Sequence, residues 1–208
     1  MKVALFDWDG VLVDISVWKK AVEGVFCYFR KRPPSMAECV RRLTDGNYFN
    51  IYKLSGITAS TGEMNAIFDL SYLSQIQKAE FSPYVCKGLA ILAKHSIILG
   101  FVTAERIAAC SSLLEKSNIK HLFHHLKFDA FDKKEAIRQI LEKEGLNPEE
   151  CCFIDDMPSG IRQGKEAGVV TIAFRNRYVR KKLILAAKPD FIAKNFREVV
   201  SIIFNKMV

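Results

Sequence analysis

Apolar residues recur along the chain in two rhythms. The first is a set of short, uninterrupted runs of strand length: KVALF at 2–6, IILGFVT at 97–103, a weaker run near LKF at 126–128, CCFI at 151–154 and VVTIAF at 169–174. Runs that do not alternate with polar residues suit strands buried on both faces, as in parallel sheets. The second rhythm is helical. Val85 to His95 carries apolar residues at 85, 89, 92 and 93, and Lys133 to Glu144 carries them at 136, 137, 140 and 141, with Gly145 as a helix stop. Strands alternating with helices predict an α/β fold, a doubly wound parallel sheet with helices over both faces.

One stretch breaks the alternation. Between about Ile15 and Glu80 no convincing strand is present. Helices are predicted there over Val17–Arg30, Met36–Leu43 and Glu63–Gln77, separated by Pro33-Pro34 and by loops at Gly46, Gly56 and Gly62. The expected organisation is an α/β core formed by residues 1–14 and 81–208, with a smaller all-helical domain, residues 15–80, inserted after the first strand. A chain of 208 residues accommodates such a core and insertion.

Composition removes several classes. Hydrophobic residues make up 50% and charged residues 26%, ordinary for a globular protein. No apolar run approaches the roughly 18 residues of a membrane span. Asp7 and Asp9 interrupt the N-terminal apolar stretch, so it does not read as a signal peptide. The six cysteines form no C-x-x-C pair, which suggests neither a zinc site nor a disulfide framework. Cys151 and Cys152 read as reduced core residues, and a cytoplasmic location is expected. The net charge of +8 is spread out, densest at RKR 30–32 and over 175–182, without an aromatic-basic ribbon. It suits a small anionic substrate by steering, and a generally basic host proteome explains it as well. No nucleic-acid or membrane partner is expected, and the oligomeric state is open between monomer and dimer.

In open parallel sheets, sites form at the carboxyl ends of the strands. Asp7 and Asp9 follow the first run. Thr103 ends the second and Ala104 follows it. Lys133 starts the helix after the third, and Asp155 and Asp156 follow the fourth. Each has a dull explanation alone, but together they place acidic groups, a hydroxyl and a lysine on one edge. That set suits phosphoryl transfer. Carboxylates repel a phosphate unless a hard cation such as Mg²⁺ joins them. One carboxylate can attack phosphorus, and a second can move the protons. A hydroxyl, backbone N–H groups and a lysine stabilise the transferred charge.

These residues resemble the four motifs of the haloacid dehalogenase superfamily, in its phosphoglycolate phosphatase-like branch with a helical first-type cap. FDWDGVLVD looks like the first motif, ILGFVTA the second, Lys133 heading KKEAIRQILEKEGLNPEE the third, and FIDDMPSGIRQGKEAGV the fourth. The resemblance implies a Mg²⁺-dependent phosphatase acting on a small phosphomonoester through an aspartyl-phosphate. Asp7 would be the nucleophile. Asp9 would be the general acid/base, with its backbone carbonyl on the metal. Thr103, Ala104 and Lys133 would bind the phosphoryl group, and Asp155 and Asp156 would complete the metal ligands with Asp7 and Asp9. Backbone N–H groups near Trp8 and Ala104 would finish the cradle.

Departures narrow this expectation. Dehalogenase and phosphonate-cleaving members lack an aspartate at the position of Asp9. Mutases of the sugar-phosphate type place a histidine twelve residues past the nucleophile, where this chain has Lys19. The third motif lacks K-P-x-P and looks closer to that of phosphoserine phosphatases. A phosphomutase, or a non-catalytic regulatory binding protein on the same fold, are the alternatives. Within the insertion, Lys19, Lys20, Arg41, Arg42 and Lys53 are available to an anion but read first as solvated surface. Trp18, Phe26, Phe29, Tyr48, Phe49 and Tyr52 read first as core.

Overall fold

The computed structural model describes residues 1–43 and 47–206. The loop expected at Gly46 lies outside them. Six parallel strands form one sheet in the order β3-β2-β1-β4-β5-β6: β1 (Val3–Phe6), β2 (Ile98–Val102), β3 (Phe123–Lys127), β4 (Cys151–Asp155), β5 (Val170–Phe174) and β6 (Phe191–Ala193). The strand order runs outward in both directions from β1, which makes the sheet doubly wound. Two strand expectations need correction. The third strand begins three residues earlier than its most apolar part, at Phe123, because its middle carries His124 and His125. The three-residue edge strand β6 was not expected, since FIA is too short for a periodic signal.

Helices cover both faces. Val3 and Leu5 face Ile137, Ile140 and Leu141 of α7 (Lys133–Glu144), while Ala4 and Phe6 join Leu89, Leu92, Phe196 and Ile203 on the opposite side. The latter come from α5 (Pro83–Lys94) and α10 (Phe196–Asn205), and α6 (Ile107–Lys116) packs on the same side through Cys110 and Leu113. The helix α8 (Pro158–Ala167) follows β4, and α9 (Lys181–Ala186) precedes β6.

Between β1 and α5 the chain is helical: α1 (Ser16–Tyr28), α2 (Met36–Arg42), the single turn α3 (Asn50–Lys53) and α4 (Thr61–Ile76). Gly62 lies in the first turn of α4 rather than in a loop. Ser60 caps that helix by accepting from the Glu63 N–H, so it starts at Thr61, two residues before the expected Glu63. Ser35 and Glu38 form a reciprocal capping box at α2. The α4 residues Met64, Phe68, Tyr72 and Ile76 are buried, and Tyr72 reaches Trp8, which packs edge-on against Phe81 at 5.5 Å. Among the described residues no helix is long and apolar enough to cross a membrane.

Candidate active site

The switch point of the sheet, between the carboxyl ends of β1 and β4, is where the acidic residues gather. Phe6 pairs with Ile154, and the next residue, Asp7, donates its N–H to the Ile154 carbonyl at 2.8 Å. Register alone therefore sets Asp7 beside Asp155. Oxygen atoms of Asp7, Asp155 and Asp156 all lie within 4.8 Å of one another. Lys133, at the N-terminus of α7, inserts between two of them. Its Nζ is 2.8 Å from Asp7 Oδ1 and 2.7 Å from Asp155 Oδ2. Its backbone N–H donates to Gln163 Oε1 of α8 at 2.7 Å, and Asp132 caps the helix by accepting from Glu135 N. Lys134 turns away, 3.7 Å from Glu166.

Two further oxygens are held in place. Asp155 Oδ1 accepts from the Met157 N–H at 2.7 Å, and Asp156 Oδ2 accepts from Asn176 Nδ2 at 2.7 Å. Asp156 Oδ1 is buried without a partner. Two glycines make room for this packing. A Cβ on Gly10, which sits at φ +86°, would lie 2.0 Å from Asp156 Oδ2, and one on Gly160 would lie 1.9 Å from Asp155 Oδ2. Neither position tolerates a side chain without moving a carboxylate.

Crowded, buried carboxylates dominate the electrostatics of the cluster. Burial raises Asp7 to about 6, against the pull of Lys133. Burial, and then the charges of Asp155 and Asp7, push Asp156 well above the usual carboxylate range. Lys133 is raised: burial opposes its charge, but Asp155 and Asp7 outweigh it. Three carboxylates against one ammonium, all oxygen donors, one of them orphaned and two shaped by glycines, suit a hard divalent cation.

Asp9 is not part of the trio. Its carboxyl oxygens lie 2.9 and 3.0 Å from the Tyr72 hydroxyl, which in turn accepts from Trp8 Nε1 at 3.1 Å. Burial raises Asp9 to about 8, although the Tyr72 hydrogen bond pulls the other way. Glu105 lies next to it and is raised well above its ordinary value by burial and by the charges of Asp9 and Asp7. Thr103 is buried at the end of β2 and its Oγ1 accepts from Glu105 N at 3.0 Å, which leaves the hydroxyl proton for another acceptor. Asp7, Asp9, Thr103, Ala104, Lys133 and Asp156 all line one cavity of about 190 Å³.

Tyr72 and Glu105 were not anticipated as site residues. Tyr72 falls on the 64-68-72-76 stripe of α4 and so looks like core. Glu105 follows Thr103 by two residues and looks like a solvated turn. Trp18 and Tyr48 pack against the core as expected and also line the cavity. None of the five candidate cations of the insertion lines it.

The fold and the cluster define an α/β protein with its site at the carboxyl edge of a doubly wound sheet. The chain belongs to the haloacid dehalogenase-like hydrolase family, whose family model matches residues 4–174. Phosphoglycolate phosphatase 1 of Pseudomonas aeruginosa is 23% identical over 215 residues, covering 96% of this chain and 78% of that one. The phosphoglycolate phosphatase of Vibrio parahaemolyticus is 26% identical over 220 residues, covering 98% and 96%. A solved haloacid dehalogenase-like hydrolase from Streptococcus pneumoniae superposes with a TM-score of 0.77 at 22% identity, covering 97% of this chain and 98% of its own, a likeness of fold.

Proposed function

We propose that the protein is a phosphatase that hydrolyses a small-molecule phosphomonoester through an aspartyl-phosphate on Asp7. The observation that carries this reading is Asp7 lining the cavity, held by Lys133 and grouped with Asp155 and Asp156, with Asp9 lining the same cavity. Phosphatase relatives support it. Asp7 attacks phosphorus, the ester P–O bond breaks, and Asp9 gives its proton to the departing oxygen. Water then attacks the phosphorus of the intermediate while Asp9 takes a proton back, and inorganic phosphate leaves with Asp7 restored. Thr103 and Lys133 bind the phosphoryl oxygens, with backbone N–H groups at Trp8 and Ala104. Asp7, Asp155, Asp156 and the Asp9 carbonyl would hold Mg²⁺, which offsets the charge of phosphate and carboxylates. Residues 15–80 act as the cap that covers the cavity.

The mutase alternative is weakened by Lys19, whose ammonium pairs with Glu23 on its own helix. A non-catalytic role is opposed by the assembled site. Release of inorganic phosphate from a panel of esters with Mg²⁺ tests the reading. EDTA should abolish the activity and excess Mg²⁺ should restore it, and Asp156→Ala should raise the Mg²⁺ concentration needed for half activity. Failure of every ester with Mg²⁺, Mn²⁺ or Co²⁺ would exclude a phosphatase. Full activity after rigorous chelation would remove the metal.

Tyr72 orients Asp9 from the cap side. Tyr72→Phe removes one hydrogen bond to a carboxyl, a loss of about 1.5 kcal/mol, or roughly tenfold in rate. The loss should be larger for benzyl phosphate, whose alkoxide needs a proton, than for 4-nitrophenyl phosphate, whose leaving group does not. An equal loss on both would make Tyr72 merely structural.

A further inference from the structure

Beyond the acidic cluster, one side of the cavity is apolar and aromatic, while Asn65, Ser159, Gln163 and Asn176 line other parts of it. Its walls include Trp18 of α1, Met36 and Val40 of α2, Tyr48, Phe68 of α4, and Phe131 ahead of α7. Tyr48 stacks on Phe131 with ring centroids 6.0 Å apart and planes 13° apart, bridging the helical segment and the sheet side of the cavity. The Tyr48 hydroxyl already donates to Asn65 Oδ1 at 2.7 Å.

Charge is the second observation. Among the described residues, two cations line this cavity, and both are engaged. Lys133 is held by Asp7 and Asp155, and Arg106 Nε is 3.0 Å from Asp69 Oδ2. Glu105 and Asp69 add acidic groups to the wall. Residues 44–46 are Thr, Asp and Gly, so the sequence supplies no cation there. Arg42 is directed elsewhere, onto the Ile51 carbonyl and the Ser55 hydroxyl. A leaving group with its own carboxylate or phosphate would meet aromatic rings and the acidic Glu105 and Asp69, with both lining cations already paired, an arrangement that disfavours binding.

We propose that the preferred substrate is the phosphate monoester of an uncharged, apolar alcohol or phenol, selected by Trp18, Tyr48, Phe68 and Phe131. This assignment rests on the phosphatase reading above. It departs from the carboxylate-bearing substrate that the relatives' names carry.

The test compares benzyl phosphate with 2-phosphoglycolate on the full chain with Mg²⁺. Both are esters of poor alkoxide leaving groups, so the comparison isolates recognition. The expected kcat/KM favours benzyl phosphate by about a hundredfold, the scale at which a mismatched polar group is rejected by an apolar pocket. Phe131 is 57% exposed, so Phe131→Ala is expected to fold. It should raise KM for benzyl phosphate several-fold with kcat nearly unchanged, Phe131→Leu should recover part of the loss, and inhibition by inorganic phosphate should stay the same. Equal or better turnover of 2-phosphoglycolate would overturn the substrate assignment and leave the phosphatase standing. An unchanged KM in Phe131→Ala would also overturn it. If neither ester, nor any other in the panel, is hydrolysed, the phosphatase reading falls and the assignment falls with it.

Discussion

Asp7→Asn is expected to lower turnover by about 10⁴-fold or more, the scale of losing a catalytic nucleophile or its partner. The substitution keeps the side chain's shape and removes the electron pair that attacks phosphorus. It should not unfold the protein. Burial raises Asp7 to about 6, so the folded state binds its proton more tightly than the unfolded chain does. Its ionisation therefore costs stability as the pH rises through that value, and an amide escapes this cost. In metal-free protein at neutral pH the melting temperature of Asp7→Asn should equal or exceed that of the wild type. Steady-state kinetics with a thermal melt checks both halves. Near-normal turnover would exclude the covalent route.

Lys133→Ala should cut kcat/KM by at least about a hundredfold, while Lys134→Ala changes it little. Both lysines open α7, where a cation opposes the helix dipole by about 0.3–1 kcal/mol. Lys133 offsets that cost by lying within 2.8 Å of Asp7 and 2.7 Å of Asp155. Without it, two buried carboxylates face each other and an incoming phosphate with one fewer cation. The apparent affinity for Mg²⁺ should then change along with turnover. Lys134 is 3.7 Å from Glu166 on a partly exposed surface, where an ion pair contributes little. Rate measurements on the two variants at several Mg²⁺ concentrations separate them. If Lys134→Ala were the damaging change, Lys133 would not be the phosphoryl-binding group.

Five of the six strands are legible as runs because parallel strands bury both faces, so their residues need not alternate. The α7 stripe is legible to the residue, and it correctly turns Lys133 inward and Lys134 outward. Asp7, Thr103, Asp155 and Asp156 stand out because they end apolar runs, and strand ends on one edge of a parallel sheet must be neighbours. The edge strand β6 and the start of β3 escape because both carry few apolar residues in a row.

What the chain alone determined is therefore what short-range periodicity and strand direction encode: the α/β class, the helical stretch after β1, and which polar residues share the sheet's carboxyl edge. What tertiary structure decided depends on residues brought together from far apart. Tyr72 meets Asp9 across 63 positions, and its place on an apolar helical stripe conceals that contact. Arg106, which charge counting would have offered to a substrate as a free cation, pairs through Nε with Asp69 from a distant helix. Trp18 and Tyr48 pack against the core as expected, and their outer faces also line the cavity. Periodicity tells which side of a helix is buried, because it depends on neighbours three or four residues away. Whether that side meets another helix or an open chamber depends on how helices pack, and no local pattern records it.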